Sequence, residues 1–175
     1  EVVEKAKKLQ TIFDRIEFVD LRLCFIIEQM EKSFLNEKIK ILKNGSDPKK
    51  VSALDDKQKI KRQELMDIRD FINQCNNPGE FLEDEKIARL EEISKMTWTD
   101  FDGNEQPFLN DDEVLNLSIR RGSITETERK KMQNHAAVTL KMLQKIPFTK
   151  KLKNIPLYAG AHHEFVNGGG YPLGL

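Results

Sequence analysis

Apolar residues recur at steps of three and four from Val2 to about Leu42, with neither Gly nor Pro in the run. Leu9, Ile12, Phe13, Ile16, Val19, Leu23, Ile26, Ile27, Met30 and Phe34 fall on one stripe, the signature of an amphipathic helix. Asn44-Gly45-Ser46-Asp47-Pro48 closes it, with Gly45 suited to a left-handed cap. A second stripe runs through Val51, Leu54, Leu65, Ile68, Phe71, Ile72 and Cys75 and stops at Asn76-Asn77-Pro78-Gly79. Two long helices joined by a short turn pack antiparallel, so a helical hairpin is expected over residues 1 to 77. Its stripes bury each other on the simplest reading; the alternative is that the arm is a partner surface.

Further along, the elements shorten. A helix is expected over roughly Glu83 to Met96, with Ile87, Leu90 and Ile93 inward, and an irregular stretch over Thr97 to Pro107. Asn110 followed by Glu113 forms a capping box, as does Thr125 followed by Glu128, so helices begin at both places. The acids Asp111 and Asp112 complement a helix dipole in a first turn, which explains them without a metal. The Thr125 helix is expected to reach about Ile146 and to carry His135 inward with Met132, Thr139 and Met142. A last helix is expected over Asn154 to Glu164. With no convincing strand, no repeat and no low-complexity segment, the fold class is all-α.

Composition narrows the partners. The chain has 175 residues, enough for a sizeable core. Its 29 basic and 29 acidic side chains cancel, which argues against a dedicated nucleic-acid binder. The apolar run from Leu23 to Ile27 is far too short to span a bilayer, and Glu1 to Lys8 is charged, unlike a signal peptide. Cys24 and Cys75 lack metal-site spacing and are expected to be buried free thiols in a reducing cytoplasm.

The chemistry concentrates in three histidines. His135, His162 and His163 lie within one short window on two successive expected helices. Imidazole is the commonest side-chain metal ligand, and bundle metal sites take ligands from facing helices. Adjacent residues on a helix diverge by about 100°, so His162 and His163 do not easily serve one ion. That leaves one ligand with a supporting neighbour such as Glu164, or several ions, or satisfied polar residues with no metal role.

The tail HHE-F-V-N-G-G-GYP-L-GL resembles the signature of the HD-GYP domain, a bacterial branch of the HD phosphohydrolases. His162, His163, Glu164, Gly168, Gly170, Tyr171, Pro172, Gly174 and Leu175 match it. RRGSITETERKKMQNH is similar to the stretch that leads into the family's third metal-binding position, here His135. The opening VVEKAKKLQ looks like the segment that follows the family's His-Asp dyad. On this resemblance, residues 1–10 follow the missing dyad, 11–115 are a helical insertion containing the hairpin, and 116–175 are a piece of the HD-GYP core.

The resemblance implies a partial HD-type helical bundle that binds two or three divalent ions of iron or manganese type. It implies hydrolysis of cyclic di-GMP or a related cyclic dinucleotide, with the ions polarising phosphoryl oxygens and activating a water. His135, His162 and His163 are the implied metal ligands. Gly168, Gly170, Tyr171 and Pro172 form the implied loop at the mouth of the site, which the family also uses to dock diguanylate cyclase (GGDEF) domains. As a bare glycine run, the same loop is a turn with no phosphate cradle behind it. The setting is bacterial second-messenger signalling in the cytoplasm, with no membrane segment.

Departures from the family pattern bound the expectation. No His-Asp pair occurs in the 175 residues, and the later helices with a further carboxylate ligand do not follow. Phe165 stands where many members have arginine, and Asn167 where many have aspartate. No catalytic set is complete, so the chain is expected to be a middle fragment of a larger enzyme, inactive alone and weak or empty in metal. The other two readings are a degenerate module that binds a partner or nucleotide without hydrolysis, and a helical dimerisation or signal-relay module, with a homodimer through the hairpin.

Overall fold

A computed structural model describes residues 14–45 and 48–174. The order of elements is α1 (Ile16–Lys43), α2 (Pro48–Cys75), α3 (Asp84–Ser94), β1 (Thr97–Thr99), β2 (Glu105–Pro107), α4 (Asp111–Leu117), α5 (Glu126–Leu143) and α6 (Ile155–Gly160). The architecture is essentially helical, as the periodicity predicts. The chain divides into two compact units between Ser123 and Ile124. The piece expected over residues 1–10 lies outside the described residues, as do Ile12 and Phe13 of the first stripe.

The larger unit is built on the hairpin. Ile16, Val19, Leu23, Ile26 and Ile27 of α1 are buried, as are Leu54, Leu65, Phe71, Ile72 and Cys75 of α2. Ion pairs fix the antiparallel register: Lys38 meets Asp55 at 2.7 Å, and Glu31 meets Arg62 at 3.0 Å. A step of seven forward on α1 is thus matched by a step of seven backward on α2. Asp20 takes the N–H of both Arg69 and Asn73 at 2.9 Å, near the other end. Leu82, Leu90, Ile93, Phe108, Leu109 and Leu117 close the same core from α3, α4 and the connections. At about 25 cal/mol per Å² of apolar surface removed from water, this cluster is the main stabilising term of the unit.

Two expectations for this unit are corrected. Thr97–Pro107 is a two-stranded antiparallel ribbon, with Trp98 opposite Gln106. Asp100 organises its turn: Oδ1 accepts from the N–H of Asp102 and Asn104, and Gly103 takes a φ of 86° that side-chain-bearing residues rarely adopt. A turn formed by such local bonds leaves only three-residue strands, too short to show alternation. Cys75 is buried, but Cys24 is exposed, because it lies one position beyond the inward Leu23 and so turns out of the stripe.

The smaller unit, residues 124–174, contains α5, the connection 144–154, α6 and the tail loop. Both expected capping boxes form, Asn110 with Glu113 on α4 and Thr125 with Glu128 on α5. The helix α5 ends at Leu143, and α6 ends at Gly160 instead of Glu164. Gly160 is buried against α5; a Cβ there would stand 2.9 Å from the Cβ of Leu140. That close approach sets the C-terminal end of α6 against Leu140, in the last turn of α5. No helix among the described residues is long and apolar enough to cross a membrane.

Candidate metal centre

His135 sits midway along α5, between the capped start at Thr125 and the Leu140 contact. The periodicity expectation placed it inward, but it is exposed, and Ala136 is the buried residue beside it. Met132 and Met142 of the same expected face are also exposed. The apolar face of α5 is narrow and centred one residue away from the expected one.

His162 and His163 lie beyond the end of α6, in a turn closed by a bond from the Glu164 N–H to the Ala161 carbonyl at 2.9 Å. The 100° divergence of neighbours on a helix therefore does not apply to them. Released from helical geometry, both rings turn toward His135. His162 Nε2 and His163 Nε2 each lie 3.2 Å from His135 Nε2. One nitrogen from each ring falls within 4.8 Å of the others, and among the described residues no carboxylate or thiolate joins the group.

Hydrogen bonding determines which nitrogens are free. Nδ1 of His135 donates to the Met132 carbonyl, and Nδ1 of His162 donates to the Ala159 carbonyl at 2.7 Å. A carbonyl oxygen only accepts, so each Nδ1 carries the proton, and a neutral ring then has a bare Nε2. Such a bond from the far nitrogen to a backbone carbonyl is the usual support of a metal-ligating histidine. Two bare nitrogens facing each other repel unless a cation or proton lies between them. Nitrogens about 2.1 Å from a shared ion are roughly 3–3.5 Å apart, which accommodates the observed spacing. The donor set fits a divalent cation.

Electrostatics agree in sign. Desolvation first, then the neighbouring His162 and His135, hold the His163 imidazole below its ordinary pKa. That favours the neutral form that binds metal.

The tail loop folds back over the same histidines. Tyr171 stacks on His163 at a centroid distance of 4.6 Å and an angle of 23°, and its N–H donates to the His163 carbonyl at 3.2 Å. Gly170 passes so close that a Cβ would stand 2.4 Å from Glu164 Cα and 2.6 Å from the His163 carbonyl oxygen. Glu164, expected beside an imidazole, directs Oε1 to the N–H groups of Leu173 and Gly174, at 2.6 and 3.2 Å. Its visible work is to tie down the far end of the loop. Gly168 and Gly174 adopt positive φ at the two ends, and the Tyr171–Pro172 peptide is cis. Phe165 and Val166 stand exposed at the tip.

The three histidines singled out in the sequence come together in the structure, in an arrangement that helical spacing does not foresee. The available signal was Gly160, which ends α6 two residues before the pair. Comparisons with curated proteins and with solved structures give no match. A family model described as HD domain matches residues 111–175, the segment that holds all three histidines and the tail loop, and this supports the HD phosphohydrolase superfamily for that part of the chain.

Proposed function

We propose that this chain is part of a metal-dependent phosphodiesterase of HD-GYP type. Its substrate is cyclic di-GMP or a related cyclic dinucleotide, in bacterial second-messenger signalling. The observation that carries the reading is the convergence of three imidazoles with two Nδ1 atoms anchored on carbonyls. The HD domain match and the HHE and GYP sequences of the tail support it.

His135, His162 and His163 hold the ion in this reading, of iron or manganese type, in a centre of two or three ions completed by carboxylates. Bound there, it supplies Lewis acidity toward a phosphoryl oxygen and toward water. The chain's own residues do the positioning. The carbonyls of Met132 and Ala159 hold two rings with Nε2 presented, Tyr171 covers the face of His163, and Glu164 keeps the loop at the rim. The loop of Gly168, Gly170, Tyr171 and Pro172 is the part offered to a GGDEF domain.

Three imidazoles are half a shell, so the 175-residue chain is expected to take up metal weakly and to leave cyclic di-GMP intact. Metal analysis after loading with manganese or iron, with nucleotide turnover followed by chromatography, tests this. Full metal occupancy with turnover would overturn the fragment reading. The full-length gene product is expected to cleave cyclic di-GMP and to lose this with His162→Asn. Nucleotide binding without cleavage there would leave a degenerate binding module in its place.

A further inference from the structure

The inward stripe of α1 is matched by a second seam on its opposite side. Phe18, Phe25, Lys32 and Ile39 are spaced by seven, and Leu21, Glu28, Leu35 and Leu42 form a second row of seven, three residues along. Together they are the a and d positions of a heptad pattern, over nearly the whole of Ile16–Lys43. Hairpin burial does not explain them: Phe18, Leu21, Leu35, Ile39 and Leu42 are 40–67% exposed. Phe25 is half-buried beside Trp98 and Phe101 of the ribbon.

Charges on the seam are set apart in the same way. Asp20, Arg22, Glu31 and Lys38, on the flanks of α1, are all bonded to other elements of the unit. Glu28 and Lys32, in the middle of the seam, are exposed and form no ion pair among the described residues. An unpaired acid and base flanked by apolar a and d positions is a register device in need of a partner helix.

We propose that the outer face of α1 is a self-association surface that takes α1 of a second copy of this chain, antiparallel, with Glu28 against Lys32 of the other copy. That one register pairs an a position with a d position in every layer, as antiparallel seams require. Phe18 meets Leu42, Leu21 meets Ile39, Phe25 meets Leu35, and the two Glu28–Lys32 pairs sit at the two-fold axis. The same register opposes the two helix dipoles. A parallel pair would stack Glu28 on Glu28 and Lys32 on Lys32, which like-charge repulsion disfavours. The interface is isologous and closes at two copies.

Sedimentation of the 175-residue chain across concentrations is expected to show a monomer–dimer equilibrium. Glu28→Lys and Lys32→Glu alone should each weaken the dimer by at least about tenfold, and the double swap should restore it at unchanged helicity. In a Cys24→Ser background, Leu21→Cys mixed with Ile39→Cys is expected to form the mixed disulfide, and neither variant to bridge to itself. Monomer at every concentration, a double swap without rescue, or self-bridging of Leu21→Cys would each overturn the proposal.

Discussion

At the scale of single residues, Gly170 is the least replaceable position of the tail. Its absent Cβ would meet backbone atoms of Glu164, Phe165 and His163, none of which can rotate away. Gly169, one residue earlier, faces only the flexible Asn167 side chain at 3.2 Å. Gly170→Ala is therefore expected to displace the loop from His163 and weaken manganese binding by roughly tenfold or more, in the range of a lost supporting contact at a metal site. Gly169→Ala should bind nearly as the parent does. Isothermal titration of both variants checks the contrast, and equal affinities would remove the close approach as the reason for glycine.

His163 sets a pH dependence at the same scale. Its imidazole is held below its ordinary pKa, so the folded chain binds fewer protons there than the unfolded chain as pH falls through the ordinary histidine range near 6.5. Stability contributed by neutral His163 is thus present above that range and lost below it. Proton NMR titration should show the His163 imidazole ionising at lower pH than a free histidine. An upward-shifted midpoint for His163 would contradict the sign.

Elements show where local sequence was sufficient and where it was not. Both capping boxes were legible because their bonds join residues three apart. Asn110 Oδ1 accepts from the Glu113 N–H, and Glu113 Oε2 accepts from the Asn110 N–H, each at 2.9 Å. Invisible in the sequence was the bidentate bond from Arg22 on α1 to the same Glu113 carboxylate, at 2.8 Å on both oxygens. Glu113 therefore serves as cap and as the ion-pair partner that pins α4 to α1, at 6% exposure. Arg22→Ala leaves a buried carboxylate without its cation and is expected to cost about 3 kcal/mol. Asn110→Ala removes one cap and should cost about 1 kcal/mol. Chemical denaturation of the two variants measures the order, and a smaller loss for Arg22→Ala would refute it. The ribbon was unreadable for a related reason: three-residue strands carry no period, and a chain of bonds around Asp100 defines them instead.

For the whole molecule, the two units differ in how much they bury. Residues 14–123 contain the contiguous cluster of Val19, Leu23, Ile72, Leu90, Leu109 and Leu117, all nearly sealed from water. Among the described residues 124–174, only Ala136 and Gly160 are buried. The histidine-bearing unit is therefore the weakly held one, and amide exchange should be fast through α5, α6 and the loop and slowest around Leu23 and Ile72. Saturating manganese should slow exchange over 124–174 in proportion to how tightly it binds, since a ligand of the folded state stabilises it by mass action. Uniform protection without metal would contradict the uneven burial. The hairpin was legible from periodicity over long stretches, whereas its register rests on ion pairs such as Lys38–Asp55 and Arg62–Glu31. The family resemblance implied a boundary at 115/116, and the packing divides at Ser123–Ile124, where no proline, glycine run or change of composition marks the difference on either side.

The turn that presents His162 and His163 is continuous with Glu164, whose carboxylate fastens Leu173 and Gly174. Imidazoles and loop anchor are thus consecutive links of one short stretch of backbone, and whatever tugs on the loop tilts the rings. By reciprocity, a visitor that grips the tail more firmly when the ion is present must make the ion harder to remove by the same factor. On the proposed function, the tail is then a gauge that reports the state of the metal centre to its surroundings and transmits their pull back to it.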